Sequence, residues 1–95
     1  MKTYSKETLD ELVKLNLSCI IVFNDDTVYT GVLGSGDGYH LFNINQGLLR
    51  FKRSHIKQIV LFNGLIYPKS ENESHKVLDI IELSDLINRA GYEFI

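Results

Sequence analysis

Basic side chains crowd into one short stretch of the chain: Arg50, Lys52, Arg53, His55 and Lys57. Phosphates are held by fixed cations, and a strand that carries several of them lays down a positive surface. Shortly upstream, Tyr39 offers a ring on which a base can stack, an interaction worth about 1–3 kcal/mol per base. Asp37 and His40 accompany that ring. Cations close to an aromatic are what recognition of single-stranded nucleic acid needs. The blander reading of the same residues is an edge strand whose charges keep it from pairing with other chains.

No other constellation carries chemistry. Gly34-Ser35-Gly36-Asp37-Gly38 has the glycine content of a phosphate loop, yet no helix pattern follows it and no lysine adjoins it. Phosphate cradles of that kind need the helix N-terminus, so a bend between strands accounts for the segment. His40, His55 and His75 are scattered, with one distant cysteine, which is not metal-ligand spacing. Cys19 lies in an apolar run and reads as a small hydrophobe. Asp25 and Asp26 are neighbours in a turn. No nucleophile with its base can be assembled, so the chain reads as a binding protein, not an enzyme, with no cofactor and no metal.

Ninety-five residues make one domain with a modest core, which oligomerisation would help to stabilise. The net charge of −2 gives no reason to expect a polyanion partner, but its distribution does. From Gly38 to Ser70 there is no Asp or Glu, whereas Glu71, Glu73, Asp79, Glu82, Asp85 and Glu93 follow. A basic middle and an acidic tail point to two different kinds of contact. A lone cysteine fits a reducing compartment, and neither a signal segment nor a long apolar run is present. The expectation is a cytoplasmic protein with no membrane partner.

The basic stretch must be positioned by strands. Residues 5–15 have helical spacing, with Ser5 as cap and Leu9, Leu12 and Val13 on one face. Ser18 to Phe23 is apolar on both faces, as in a buried strand. Thr27 to Leu33, Tyr39 to Asn43, Leu48 to Arg53 and Ile56 to Phe62 are four further strands joined by minimal turns. In the fourth, parity sends Leu49 and Phe51 inward and Arg50 and Lys52 outward. Strands so closely spaced, with glycines at 31, 34, 36 and 38 to bend them, predict a small barrel. Asn63 to Ser74 reads as an exposed linker. Val77 to Leu83 fits either a strand or a helix, and a short helix follows with Ser84 as its N-cap and Gly91 closing it. Tyr92 to Ile95 is apolar enough to pack back.

Two patches resemble the Sm-like family, which includes the Sm/LSm proteins and the bacterial RNA chaperone Hfq. Gly31-Val32-Leu33 with Asp37-Gly38-Tyr39-His40-Leu41 is similar to the Sm1 pattern. Phe51-Lys52-Arg53-Ser54-His55-Ile56 is similar to the Sm2 turn and to the Lys-His corner of the bacterial members. Leu41 stands where many members have Asn, Arg53 where they have Gly, and Lys52 and His55 are not adjacent. The resemblance implies a mainly β fold: a strongly bent five-stranded, SH3-like barrel over residues 1–66, with an N-terminal helix. Residues 67–95 become a linker and an α/β appendage packed on the barrel or on a neighbouring subunit. It further implies a ring of six or seven subunits, in which the fourth strand of one copy pairs with the fifth of the next. Single-stranded RNA would be held by Asp37, Tyr39, His40, Arg50, Lys52, Arg53, His55 and Lys57. Two alternatives stand beside it. One is a phage- or plasmid-type regulatory module that docks a protein partner through the acidic C-terminal segment; the other is a ring that captures small nucleotides.

Overall fold

A computed structural model describes residues 3–70 and 76–91 of the chain. Helix α1 (Lys6–Leu15) precedes strands β1 (Ser18–Phe23), β2 (Val28–Ser35), β3 (Tyr39–Asn43), β4 (Gly47–Phe51) and β5 (Ile56–Leu61). Strands β6 (Leu65–Tyr67) and β7 (Lys76–Val77) and helix α2 (Ile80–Arg89) complete it. All pairings are antiparallel, in the order β4-β3-β2-β1-β5-β6-β7.

The helix starts as its sequence dictates. The Ser5 hydroxyl accepts from the Thr8 N–H, Glu7 sits in the first turn, and Asn16 closes the helix with a left-handed φ of 52°. Leu9 and Leu12 are fully buried and Val13 packs beside them. Strand β1 is buried on both faces because each face has its own helix. Cys19, Ile21 and Phe23 join Leu9 and Leu12 in one core cluster, while Ile20 and Val22 meet Leu86, Ile87 and Ala90 of α2 in another.

The sheet must curl. Between β4 and β5 lie four interstrand spacings of about 4.8 Å, or roughly 19 Å if flat. Phe51 and Ile56 are joined only by Lys52 and a 3-10 turn, Arg53–His55, whose residues rise about 2 Å each. Only a curled sheet brings its fourth and fifth strands that close. Two glycines allow the close approaches. A Cβ on Gly31 would lie 2.3 Å from the Phe42 carbonyl oxygen, and one on Gly34 would meet the His40 imidazole at the same distance.

Three expectations need correction. The five-stranded barrel is a seven-stranded sheet left open, with β4 at one edge and β7 at the other. The stretch read as a linker contains β6, whose Tyr67 and Ile66 pair with Ile59 and Val60. A three-residue strand between Gly64 and Pro68 is too short to show a period. The second helix begins at Ile80, not after Ser84, because the Asp79 carboxylate accepts from the Glu82 N–H and caps it earlier. Gly91 follows its end with a φ of 89°, as the left-handed closing position requires. Residues 71–75, including His75 and the acidic Glu71 and Glu73, and the apolar Tyr92 to Ile95 lie outside the described residues.

The Tyr4 side chain helps to tie down the N-terminal segment, with the Ser5 N–H donating to the Lys69 carbonyl beside it. The Tyr4 hydroxyl donates to the Tyr67 carbonyl (2.7 Å) and accepts from the Ile59 N–H (2.9 Å), so it sits inside the β5–β6 ladder as a bridging group. Lys69 approaches the same ring, its ammonium 5.8 Å from the centroid.

Candidate functional site

Strand parity places the basic residues as their sequence implied, but the curl decides what they meet. On β4, Leu49 and Phe51 are half-buried and Arg50 is exposed, its cross-strand partner on β3 being His40. Lys52 and His55 are exposed at the corner that leads to β5. Arg50, Lys52 and His55 are exposed, and none makes a side-chain hydrogen bond or ion pair among the described residues, although His55 stands near enough to Asp25 to help hold that carboxyl low. Arg53 is engaged: its Nη1 donates to the Tyr4 carbonyl at 2.9 Å. Lys57 pairs with Asp26 at 2.8 Å, a contact between two exposed side chains that is worth little to stability. Asp37 sits exposed in the bend before β3, with a φ of 54°.

Tyr39 faces the helix side. Its ring packs on the core beneath α1, and its hydroxyl donates to Asp10 Oδ1 at 2.8 Å. Burial, followed by the Asp10 carboxylate that accepts this proton, pushes the phenol up to about 12, from an ordinary value of 10.0. A folded-state pKa above the unfolded one contributes stability that is whole below pH 10 and is lost as the pH rises towards 12. In an ultraviolet difference titration, the ionisation absent from Tyr39→Phe is expected near pH 12, and Asp10→Asn is expected to bring it back towards 10. Ionisation of Tyr39 in the native protein at the ordinary value of 10.0 would contradict the contact.

A groove of about 400 Å³ opens at the mouth of the curled sheet. Phe23, Tyr29, Leu49 and Phe51 give it apolar walls, and Asn24, Asp25, Thr27, Arg50 and His55 complete its lining. Phe23 is the centre of the aromatic set, edge-on to Tyr29 (5.8 Å between centroids) and to Phe51 (5.3 Å). Arg50 alternates with Leu49 and Phe51, so its side chain leaves the strand on the opposite face and Arg50 borders the groove without joining its apolar walls. Asp25 accepts from the side chain and the backbone N–H of Thr27, which holds its carboxyl below the ordinary value and keeps it ionised. Asn24 ties the turn to the corner, its side-chain amide donating to the Ser54 carbonyl and its N–H to the His55 carbonyl.

The structure thus brings Arg50 and His55 together at this groove, sets Lys52 between them in sequence, and turns Tyr39 towards α1. Tyr39 lines a second groove, of about 560 Å³, with Lys6, Asp10, Lys14 and Gly36. Phe23 and Tyr29 read in the sequence as ordinary strand residues, and Phe51 only as an inward-facing one. The β1–β2 hairpin makes Phe23 and Tyr29 neighbours, and the curl brings Phe51 to them.

Other chemistry is quiet. The Cys19 thiol is fully buried and pushed up to about 12 by that burial, which leaves it unreactive. Among the described residues no three His, Cys, Asp or Glu side chains come together as a metal site would require. No helix among them is long and apolar enough to cross a membrane. Comparison with protein-family models, with curated proteins and with solved structures finds no match to this chain.

Proposed function

We propose that the chain is a non-enzymatic RNA-binding domain of Sm-like type, which assembles from several copies and holds short single-stranded RNA at the corner between β4 and β5. The observation that carries this reading is the aromatic-walled groove beside a corner where Arg50 and Lys52 are exposed with no side-chain partner among the described residues, and where His55 stands beside Asp25. A base can enter the groove against Phe23, Tyr29 and Phe51 while its phosphates meet the cations at the rim. The N-terminal helix and five consecutive antiparallel strands, with β5 returning beside β1, support the Sm-like assignment.

The test is equilibrium binding of a short U-rich RNA and a short A-rich RNA at low and moderate salt. Arg50→Glu combined with Lys52→Glu is expected to weaken binding at least tenfold without changing the fold, because both side chains are exposed. Equal affinity for the double variant and the wild type would overturn the reading.

The size of the groove favours one second reading. About 400 Å³ suits a single nucleobase, so a free nucleotide is the other occupant that this geometry fits. Nucleotide released on denaturing the purified protein, together with no affinity for oligonucleotides, would select it.

A further inference from the structure

The assembly that the Sm-like resemblance implies joins β4 of one copy to β5 of the next, but β6 already covers β5 at Ile59 and Val60. The two free edges of the sheet are β4 and β7. Each is flanked by an exposed apolar patch, and the two patches carry opposite charge. At the β3–β4 hairpin, Phe42 and Leu48 are cross-strand partners with half their surface exposed, and Ile44 at the turn is 90% exposed. Arg50 and His40 continue that face, and no Asp or Glu occurs between Gly38 and Ser70. At the other edge, Val77 of β7 and Ile80 and Ile81 of α2 are 68–78% exposed, with Asp79 and Glu82 exposed among them. Lys76 is the one cation on that short strand.

Apolar clusters of this kind are costly to leave in water and mark contact surfaces. Pairing β4 patches with each other would set Arg50 near Arg50, whereas pairing unlike patches sets Arg50 beside Asp79 and Glu82. We infer that copies of this chain associate head to tail, the Phe42–Ile44–Leu48 face of one seating on the Val77–Ile80–Ile81 face of the next. Such a contact is heterologous, so it closes into a ring or continues as a chain. The inference rests on the multi-copy part of the proposed function and shares Arg50 with its RNA part, so it is tested without RNA and at positions other than Arg50.

The experiment is solution mass by light scattering on the full chain without RNA, over a range of protein concentrations. Wild type is expected to exceed a dimer at the highest concentration. Leu48→Glu and Ile81→Lys each destroy one of the two faces, and each is expected alone to give the mass of a single chain. Mixed one to one, they are expected to form a species of two chains and no larger, since one good contact can form between them. Ile44→Glu, at a position almost wholly exposed, is the second variant for the hairpin face and is expected to behave as Leu48→Glu does. A wild type that stays at one chain throughout would overturn the inference, as would an Ile81→Lys protein that keeps the wild-type mass, or a mixture that remains at one chain. RNA binding by a single-chain wild type would show that the contact had failed and the RNA reading had not.

Discussion

Replacing Tyr4 with Phe is expected to lower the stability of the fold by roughly 2–4 kcal/mol. The hydroxyl is the hydrogen-bond partner of two main-chain groups, the Ile59 N–H and the Tyr67 carbonyl. Both lie in buried strand residues, with Ile59 at 0% exposure. Phe fills the same space and keeps the apolar contacts of the ring, so the change isolates the hydroxyl. A buried donor and a buried acceptor left unpaired cost about 1–3 kcal/mol each, and partial closing of the β5–β6 ladder recovers some of it. For a domain of this size, each kcal/mol moves Tm by about 4–8 °C. Urea denaturation should show a lower midpoint with an unchanged slope. A midpoint equal to that of the wild type would mean that the hydroxyl does not bridge the ladder.

The second large loss is expected for Gly31→Ala, roughly 2–5 kcal/mol. The methyl group would lie 2.3 Å from the Phe42 carbonyl oxygen and 2.8 Å from its carbon. Those are backbone atoms of the neighbouring strand, so no side chain can turn away to make room. The φ of +154° adds a conformation that side chains rarely adopt. Either β3 moves away from β2 or the bend relaxes, and both displace the hairpin that carries Arg50 and Phe51. Gly36→Ala is the control: its Cβ meets nothing within 4 Å, so only its own backbone strain, at a φ of +144°, is added. Thermal unfolding of the two variants should separate them clearly. Equal Tm values would show that β2 and β3 do not approach as closely as described.

What could be read from the sequence follows from how local each feature is. The alternation of Leu49 and Phe51 with Arg50 is a period-two pattern within five residues, and it survives in the exposure of β4. Ser5 and its helix are equally local, as is the doubly apolar β1. Tyr4 has no local signature at all, because its partners lie 55 and 63 residues away. Strand β6 hides between Gly64 and Pro68 since three residues cannot establish a period. The α2 cap was legible in principle: Asp79 and Glu82 stand three apart, the spacing of a helix N-terminus, but the apolar run between Val77 and Leu83 satisfies a strand equally well. The groove is the least local feature. Phe23 ends β1 and Phe51 ends β4, three places apart in the sheet, and only the short corner between β4 and β5 forces them together.

On the proposed reading, phosphates meet Arg50 and Lys52, which have no side-chain partner among the described residues, while a base enters the aromatic groove. The salt dependence of RNA affinity tests it most directly. Each phosphate neutralised on a single strand contributes a slope of about −0.7 in log affinity against log salt. Two or three contacts per copy predict a slope of about −1.4 to −2, reduced by about 1.4 in the variant that combines Arg50→Glu and Lys52→Glu. Absence of binding at low salt, or binding with the same slope in both proteins, would contradict the account.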